Sequence, residues 1–174
     1  MSLQDTGARF ALVADEWFDS ERHVREPATM KVVEGRLVGV MAGDHAQTLA
    51  AQGWPIERGA FLMPGLVDAH VHLFLDGAPT DQTLRSEHLK QPVEALTEAA
   101  RRSARRALAC GVTLVRDAGD RHGINHAIRA EALLPGSGLA QVRSAGLGVK
   151  RAKRYGAFMA TDVSDDDSIR ASVR

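Results

Sequence analysis

The feature that most constrains this chain is a change of grammar at Pro64-Gly65. Downstream of that turn, short β-branched runs alternate with helical patterns. Leu66–His72 reads as a strand entered through the Pro-Gly break. Val93, Leu96, Ala100, Ala104, Ala107 and Leu108 recur at helical spacing with arginines opposite, which predicts a helix over Val93–Ala109 with Gly111 as its stop. Val112–Arg116 is a second strand, ending at Asp117-Ala118-Gly119-Asp120. Asn125–Leu133 fits a second helix closed by Pro135-Gly136, and Leu139–Ala145 fits a third strand. A Gly-rich basic loop, Gly146–Ala160, follows. Ser164-Asp-Asp-Asp167 then reads as an N-cap with an acidic first turn. Such alternation implies an α/β fold, a parallel sheet with right-handed crossovers.

Upstream the pattern is β alone. Phe10–Ala14 is an apolar run, and Thr29–Glu34 and Arg36–Met41 form a predicted hairpin about Gly35. Asp44–Arg58 lacks a clean period and reads as a loop with a helical turn, before Ala60–Met63 leads into the Pro-Gly break. So few strands bury little by themselves and need a cover. The expected division is a partial β-sandwich over residues 1–63 and a strand-helix layer over residues 64–174.

Bulk composition narrows the partners. Lys+Arg and Asp+Glu both total 22, so net charge gives no pull toward nucleic acid or a membrane surface. No apolar run approaches the ~20 residues of a membrane span. The first seven residues lack a signal peptide's basic and apolar regions, so the expected location is the cytoplasm. A lone Cys110 allows no internal disulfide and reads as inert packing.

The chemistry concentrates in one strand. Side chains at i and i+2 of a strand share a face, so His70 and His72 converge on one point. Leu66 and Asp68 share that face, while Val67, Ala69 and Val71 would pack on helices. Two neutral imidazoles on rigid backbone are two thirds of a catalytic zinc site, and a third ligand is required. Asp68 reads as a group orienting a ligand or as a buried hydrogen-bonded carboxylate. Asp117 reads as a carboxylate behind the site or as a turn or capping residue. His122 and His126, at i and i+4, lack the glutamate of a zinc-binding helix and read as a loop and helix-start pair. His23, His45 and His88 are expected in solvent. So are the arginines at 101, 102, 105 and 106, and the loop cluster Lys150, Arg151, Lys153 and Arg154 beside Tyr155-Gly156.

The run Phe61-Leu-Met-Pro-Gly-Leu-Val-Asp-Ala-His-Val-His72 resembles the metal-binding signature of the amidohydrolase superfamily. Gly111-Val-Thr-Leu-Val-Arg-Asp117 looks like that superfamily's second-strand segment. Val142-Arg-Ser-Ala-Gly146 followed by Arg154-Tyr-Gly156 is similar to the third-strand region of its imidazolonepropionase- and prolidase-like branches. The resemblance begins near residue 9 and matches the first part of the family's length.

It implies a distorted TIM-type (β/α)8 barrel beside a small β-sandwich, with His70 and His72 binding Zn²⁺ or another divalent metal, one or two ions. The family's later ligands, a carboxylated lysine, two histidines and an aspartate, have no match here. A complete barrel takes ~250 residues, whereas residues 65–174 number 110. The expectation is therefore an N-terminal portion: part of a sandwich and the first three barrel strands. The implied activity is metal-assisted hydrolysis of carbon-nitrogen bonds in a small-molecule amide or cyclic amide. The alternative is a non-catalytic truncated remnant, or one half of a split enzyme that needs a complementary chain or a second copy.

Overall fold

The computed structural model describes residues 9–77 and 81–173. The expectation about the first seven residues lies outside them. The chain divides into two compact units, Met1–Pro64 and Gly65–Arg174.

The first unit is a five-stranded sheet built from β1 (Arg9–Phe18), β2 (His23–Val24), β3 (Ala28–Val33), β4 (Arg36–Ala42) and β5 (Ile56–Leu62), with a short helix α1 (Ala46–Ala51) between the last two. The central β1 pairs antiparallel with β2 and β3 and parallel with β5, and β4 extends β3. Val33 faces Arg36 across a two-residue turn in which Glu34 and Gly35 both have positive φ, 50° and 71°. That is the turn whose twist matches a hairpin. Both faces bury apolar side chains, Ala11 and Val13 on one and Ala14, Ala28 and Met30 on the other. Thr29 is buried on the Val13 face and keeps its hydroxyl satisfied, donating to Gly43 O at 2.8 Å and accepting from His45 N at 2.9 Å. A groove of about 530 Å³, lined by Trp17, Phe18, Leu37, Val40 and Met63 among others, runs along the sheet.

The second unit contains β6 (Leu66–Val71), α2 (Gln82–Leu89), α3 (Val93–Ala109), β7 (Val112–Asp117), α4 (Ile124–Ala132), β8 (Gln141–Ser144), β9 (Gly148–Arg151), β10 (Ala160–Val163) and α5 (Asp166–Ser172). Strands β6, β7 and β8 form a parallel sheet in that order, and β9 and β10 form a separate parallel pair. The fold is α/β. Helix α3 packs on β7 and α4, burying Leu96 and the small side chains of Ala99, Ala100 and Ala104. Val93 and Leu108, expected on that stripe, lie exposed at its ends. The core joins Leu73, Phe74, Leu96, Val115, Ile128 and Val142. Among the described residues no helix is long and apolar enough to cross a membrane.

Several expectations change here. The basic loop contains β9 and a pairing strand, so Lys150 is largely buried and ion-paired with Asp162 rather than solvated. Arg101 lies in the helix-helix seam, where Nε donates to both carboxylate oxygens of Glu131 at 2.7 and 2.9 Å. Cys110 is exposed because it caps α3. Val67 is 62% exposed, since α3 and α4 cover β7 and β8 and leave the edge strand β6 bare.

Candidate metal-binding site

The site grows from the C-terminal ends of β6 and β7. The ladder between them shifts register after Leu66 and again between Asp68 and Val71, then resumes with Val71 opposite Asp117. There Ala118 N donates to Val71 O at 2.8 Å. The next residue on the β6 side is His72, and two positions earlier is His70. Their rings meet edge to face, with centroids 5.4 Å apart and an interplanar angle of 76°. The spacing therefore brings the two imidazoles together.

His72 is held in one tautomer. Its Nδ1 lies 2.9 Å from Gly119 O, and a carbonyl only accepts, so Nδ1 carries the proton. Nε2 is left as the lone-pair nitrogen. This is how a metal-ligating imidazole is oriented from behind. Gly119 has φ +135°, and a Cβ there would sit 3.1 Å from Gly148 N and 3.2 Å from Met159 O. The carbonyl that orients His72 therefore sits where a side chain does not fit.

Asp117 ends β7 at 1% exposure. Its Oδ1 accepts from Gly119 N at 3.0 Å and Asn125 Nδ2 at 3.4 Å, and its Oδ2 accepts from Leu73 N at 3.0 Å. Asp68 is exposed and accepts from His70 N at 3.1 Å, a contact within its own strand. Both histidines line a cleft of about 210 Å³ with Lys150, Tyr155 and Met159. Tyr155, 74% exposed, meets Phe158 edge to face at 5.4 Å.

Other histidines have different work. His126 Nδ1 lies 3.2 Å from Ser144 Oγ in the first turn of α4, and His122 sits in the preceding turn. The histidines expected in solvent each find an acceptor. His23 Nε2 is 2.6 Å from Glu16 Oε2, His45 Nε2 is 2.8 Å from Ala42 O, and His88 Nε2 is 2.8 Å from Phe74 O.

Sequence reasoning missed Asp120. It is buried and accepts from the backbone N–H of His122 (2.6 Å), Ile124 (3.0 Å) and Asn125 (2.8 Å), so it serves the start of α4. The available signal was an acidic residue just ahead of a predicted helix start.

Residues 61–142 match the family model described as the amidohydrolase family. No curated protein sequence matches the chain. Among solved structures, the chain is similar to ochratoxinase from A. niger at 19% identity and TM-score 0.69, covering 97% of this chain and 44% of that one. It is similar to a Xaa-Pro dipeptidase at 18% identity and TM-score 0.68, covering 95% and 43%. Molinate hydrolase gives 22% identity and TM-score 0.65, covering 82% and 31%. These are likenesses of fold, and the chain spans less than half the length of each of the three. Amidohydrolases typically bind divalent metals. The histidine pair fits two ligands of such an ion: both imidazoles converge, and His72 has its non-binding nitrogen occupied. No group of three or more metal-ligating side chains occurs among the described residues.

Proposed function

We propose that this chain supplies the first three strands of a metal-dependent amidohydrolase barrel, together with part of a sandwich. In this reading it acts in the cytoplasm on carbon-nitrogen bonds of small amides or cyclic amides. The observation that carries the reading is the locked tautomer of His72 beside His70, at the strand ends where barrel enzymes gather their functional residues. His70 and His72 would hold a zinc or another divalent ion. When bound, such an ion supplies Lewis-acid polarisation of a carbonyl and a lowered pKa for water. The chain's own groups do the rest. Gly119 O keeps Nδ1 of His72 protonated, and Tyr155 and Lys150 shape the cleft wall that faces the pair.

Exposure of Leu66 and Val67 on β6 favours a second reading, in which the pair works only against further strands from a complementary chain or a second copy. Zinc stoichiometry and turnover of a panel of N-acyl amino acids and cyclic amides test the proposal. The expected result is zinc binding that His70→Ala and His72→Ala each weaken, with turnover lost in parallel. Zinc binding indifferent to both substitutions sinks it.

A further inference from the structure

Two hydrogen bonds hold the segment that carries His72, and one buried carboxylate stands behind both. Asp117 Oδ2 takes the amide of Leu73, the residue directly after His72, at 3.0 Å. Asp117 Oδ1 takes the amide of Gly119 at 3.0 Å, and the carbonyl of that same glycine takes Nδ1 of His72 at 2.9 Å. Asn125 Nδ2 approaches Oδ1 at 3.4 Å while donating to Gly146 O at 2.8 Å, which ties the carboxylate to α4. The carboxylate thus clamps the backbone on both sides of the imidazole, the strand that carries it and the loop that faces it. A side chain at Gly119 would press on Gly148 N, Met159 O and Gly146 O, so the position is kept for glycine.

We propose that Asp117 is a positioning residue for His72, acting through the Leu73 amide and the Gly119 peptide to fix the imidazole as its Nδ1–H tautomer with Nε2 free. The tautomer part stands on these contacts alone. Its consequence for metal affinity rests on the proposal that His72 is a ligand.

The deciding feature is that both carboxylate oxygens are used, each by a backbone N–H. Asp117→Asn keeps the shape and only one accepting oxygen. Its amide nitrogen must then face either Leu73 N–H or Gly119 N–H, donor against donor. One of the two anchors is lost whichever way the amide is turned, and Gly119 O is no longer held against the ring.

The test is the ¹⁵N spectrum of the imidazoles in the metal-free chain at alkaline pH, with His72 assigned through His72→Gln. The unaltered chain should show His72 as the Nδ1–H tautomer, against the Nε2–H preference of free histidine, with Leu73 and Gly119 amides protected from exchange. Asp117→Asn should convert His72 to a mixture containing the Nε2–H form and leave His126 unchanged. It should also weaken zinc binding about 10- to 100-fold, the range for loss of a group that supports a ligand. An Nε2–H His72 in the unaltered chain overturns the inference without any variant, as do unprotected Leu73 and Gly119 amides. So does a folded Asp117→Asn chain with an unchanged His72 spectrum. If the expected tautomer appears and no zinc binds, the positioning stands and the metal-ligand reading falls.

Discussion

Asp120 offers a measurable load on a helix start. Helix α4 begins after Gly123, whose φ of 74° places it outside the helical region and which has no side chain to cap the free N–H groups. Asp120 does that from three residues earlier, through bonds of 2.6, 3.0 and 2.8 Å to the amides of His122, Ile124 and Asn125. Ile124 and Asn125 are buried, so in Asp120→Ala water cannot easily replace the carboxylate at their amides. Each buried donor left unpaired costs about 1–3 kcal/mol. Two such donors predict a loss of about 2–6 kcal/mol, with the His122 amide adding little because solvent reaches it. Asp120→Asn retains one accepting oxygen and should lose about 1–3 kcal/mol. The exposed cap Asp81, which accepts from Thr83 N and Leu84 N, provides the comparison: Asp81→Ala should lose only about 1 kcal/mol. The assay is urea unfolding followed by far-UV circular dichroism, with amide exchange in α4 as the local reading. Tryptophan fluorescence is unsuited, because Trp17 and Trp54 both lie in the first unit. An Asp120→Ala loss no larger than that of Asp81→Ala refutes the buried-cap argument.

Gly65 stands at the entry to β6, where an added Cβ would overlap Oγ1 and Cγ2 of Thr113 and lie 2.8 Å from its Cβ. Gly65→Ala should therefore cost about 1–3 kcal/mol by overpacking, and pairing it with Thr113→Ala should restore part of that. Strict additivity of the two in urea unfolding would refute the contact. Hydrogen bonds from Arg101 hold the Glu131 carboxyl below the usual glutamate range. A depressed folded value contributes stability that is present above the ordinary glutamate pKa and lost as pH falls through the folded one. With both side chains about a third exposed, Glu131→Gln should lower stability by about 0.5–1 kcal/mol at neutral pH. Urea unfolding should find that difference gone in acid; a difference that persists there excludes the linkage.

What could be read from the sequence was whatever is encoded by neighbours along the chain. The span of α3 follows from the Leu96, Ala100 and Ala104 stripe, with Pro92 before it and Gly111 after. The hairpin follows from a glycine between two β-rich runs. Helix α2 was missed because it buries no residue and so shows no apolar stripe; its one local sign is the Asp81 cap. Strands β9 and β10 were missed for another reason: their pairing joins Gly148–Arg151 to Ala160–Val163, and four residues carry too little pattern to announce it. At the site, the i, i+2 spacing is enough to bring His70 and His72 onto one face. The work of Gly119 and Leu73 depends on a backbone carbonyl meeting the His72 ring and a backbone amide meeting the Asp117 carboxylate, across 47 and 44 positions. Residue types do not record such contacts. His88 shows the same limit, since its acceptor is a backbone carbonyl 14 positions away.

The two histidines are unequal in how they are held, and the reason lies in the strand that carries them. A bare edge strand provides little packing to fix a side chain, and the β6 ladder is irregular between Asp68 and Val71, the stretch that contains His70. Apart from its edge contact with His72, the nearest restraint on His70 is the exposed Asp68 carboxylate, which touches its backbone and not its ring. Pairing returns at Val71, and the chain enters the core two residues later at Leu73 and Phe74, 5% and 1% exposed. His72 therefore sits between a restored ladder and a buried anchor, with its ring tied to Gly119. An unpaired strand end can carry a ligand in fixed orientation only if its restraint comes from elsewhere. Here the restraint comes from the end of β7 and the loop leading into α4. Whatever Asp117 contributes to stability through the Leu73 and Gly119 amides is, on the proposed reading, also a contribution to keeping the His72 imidazole aimed.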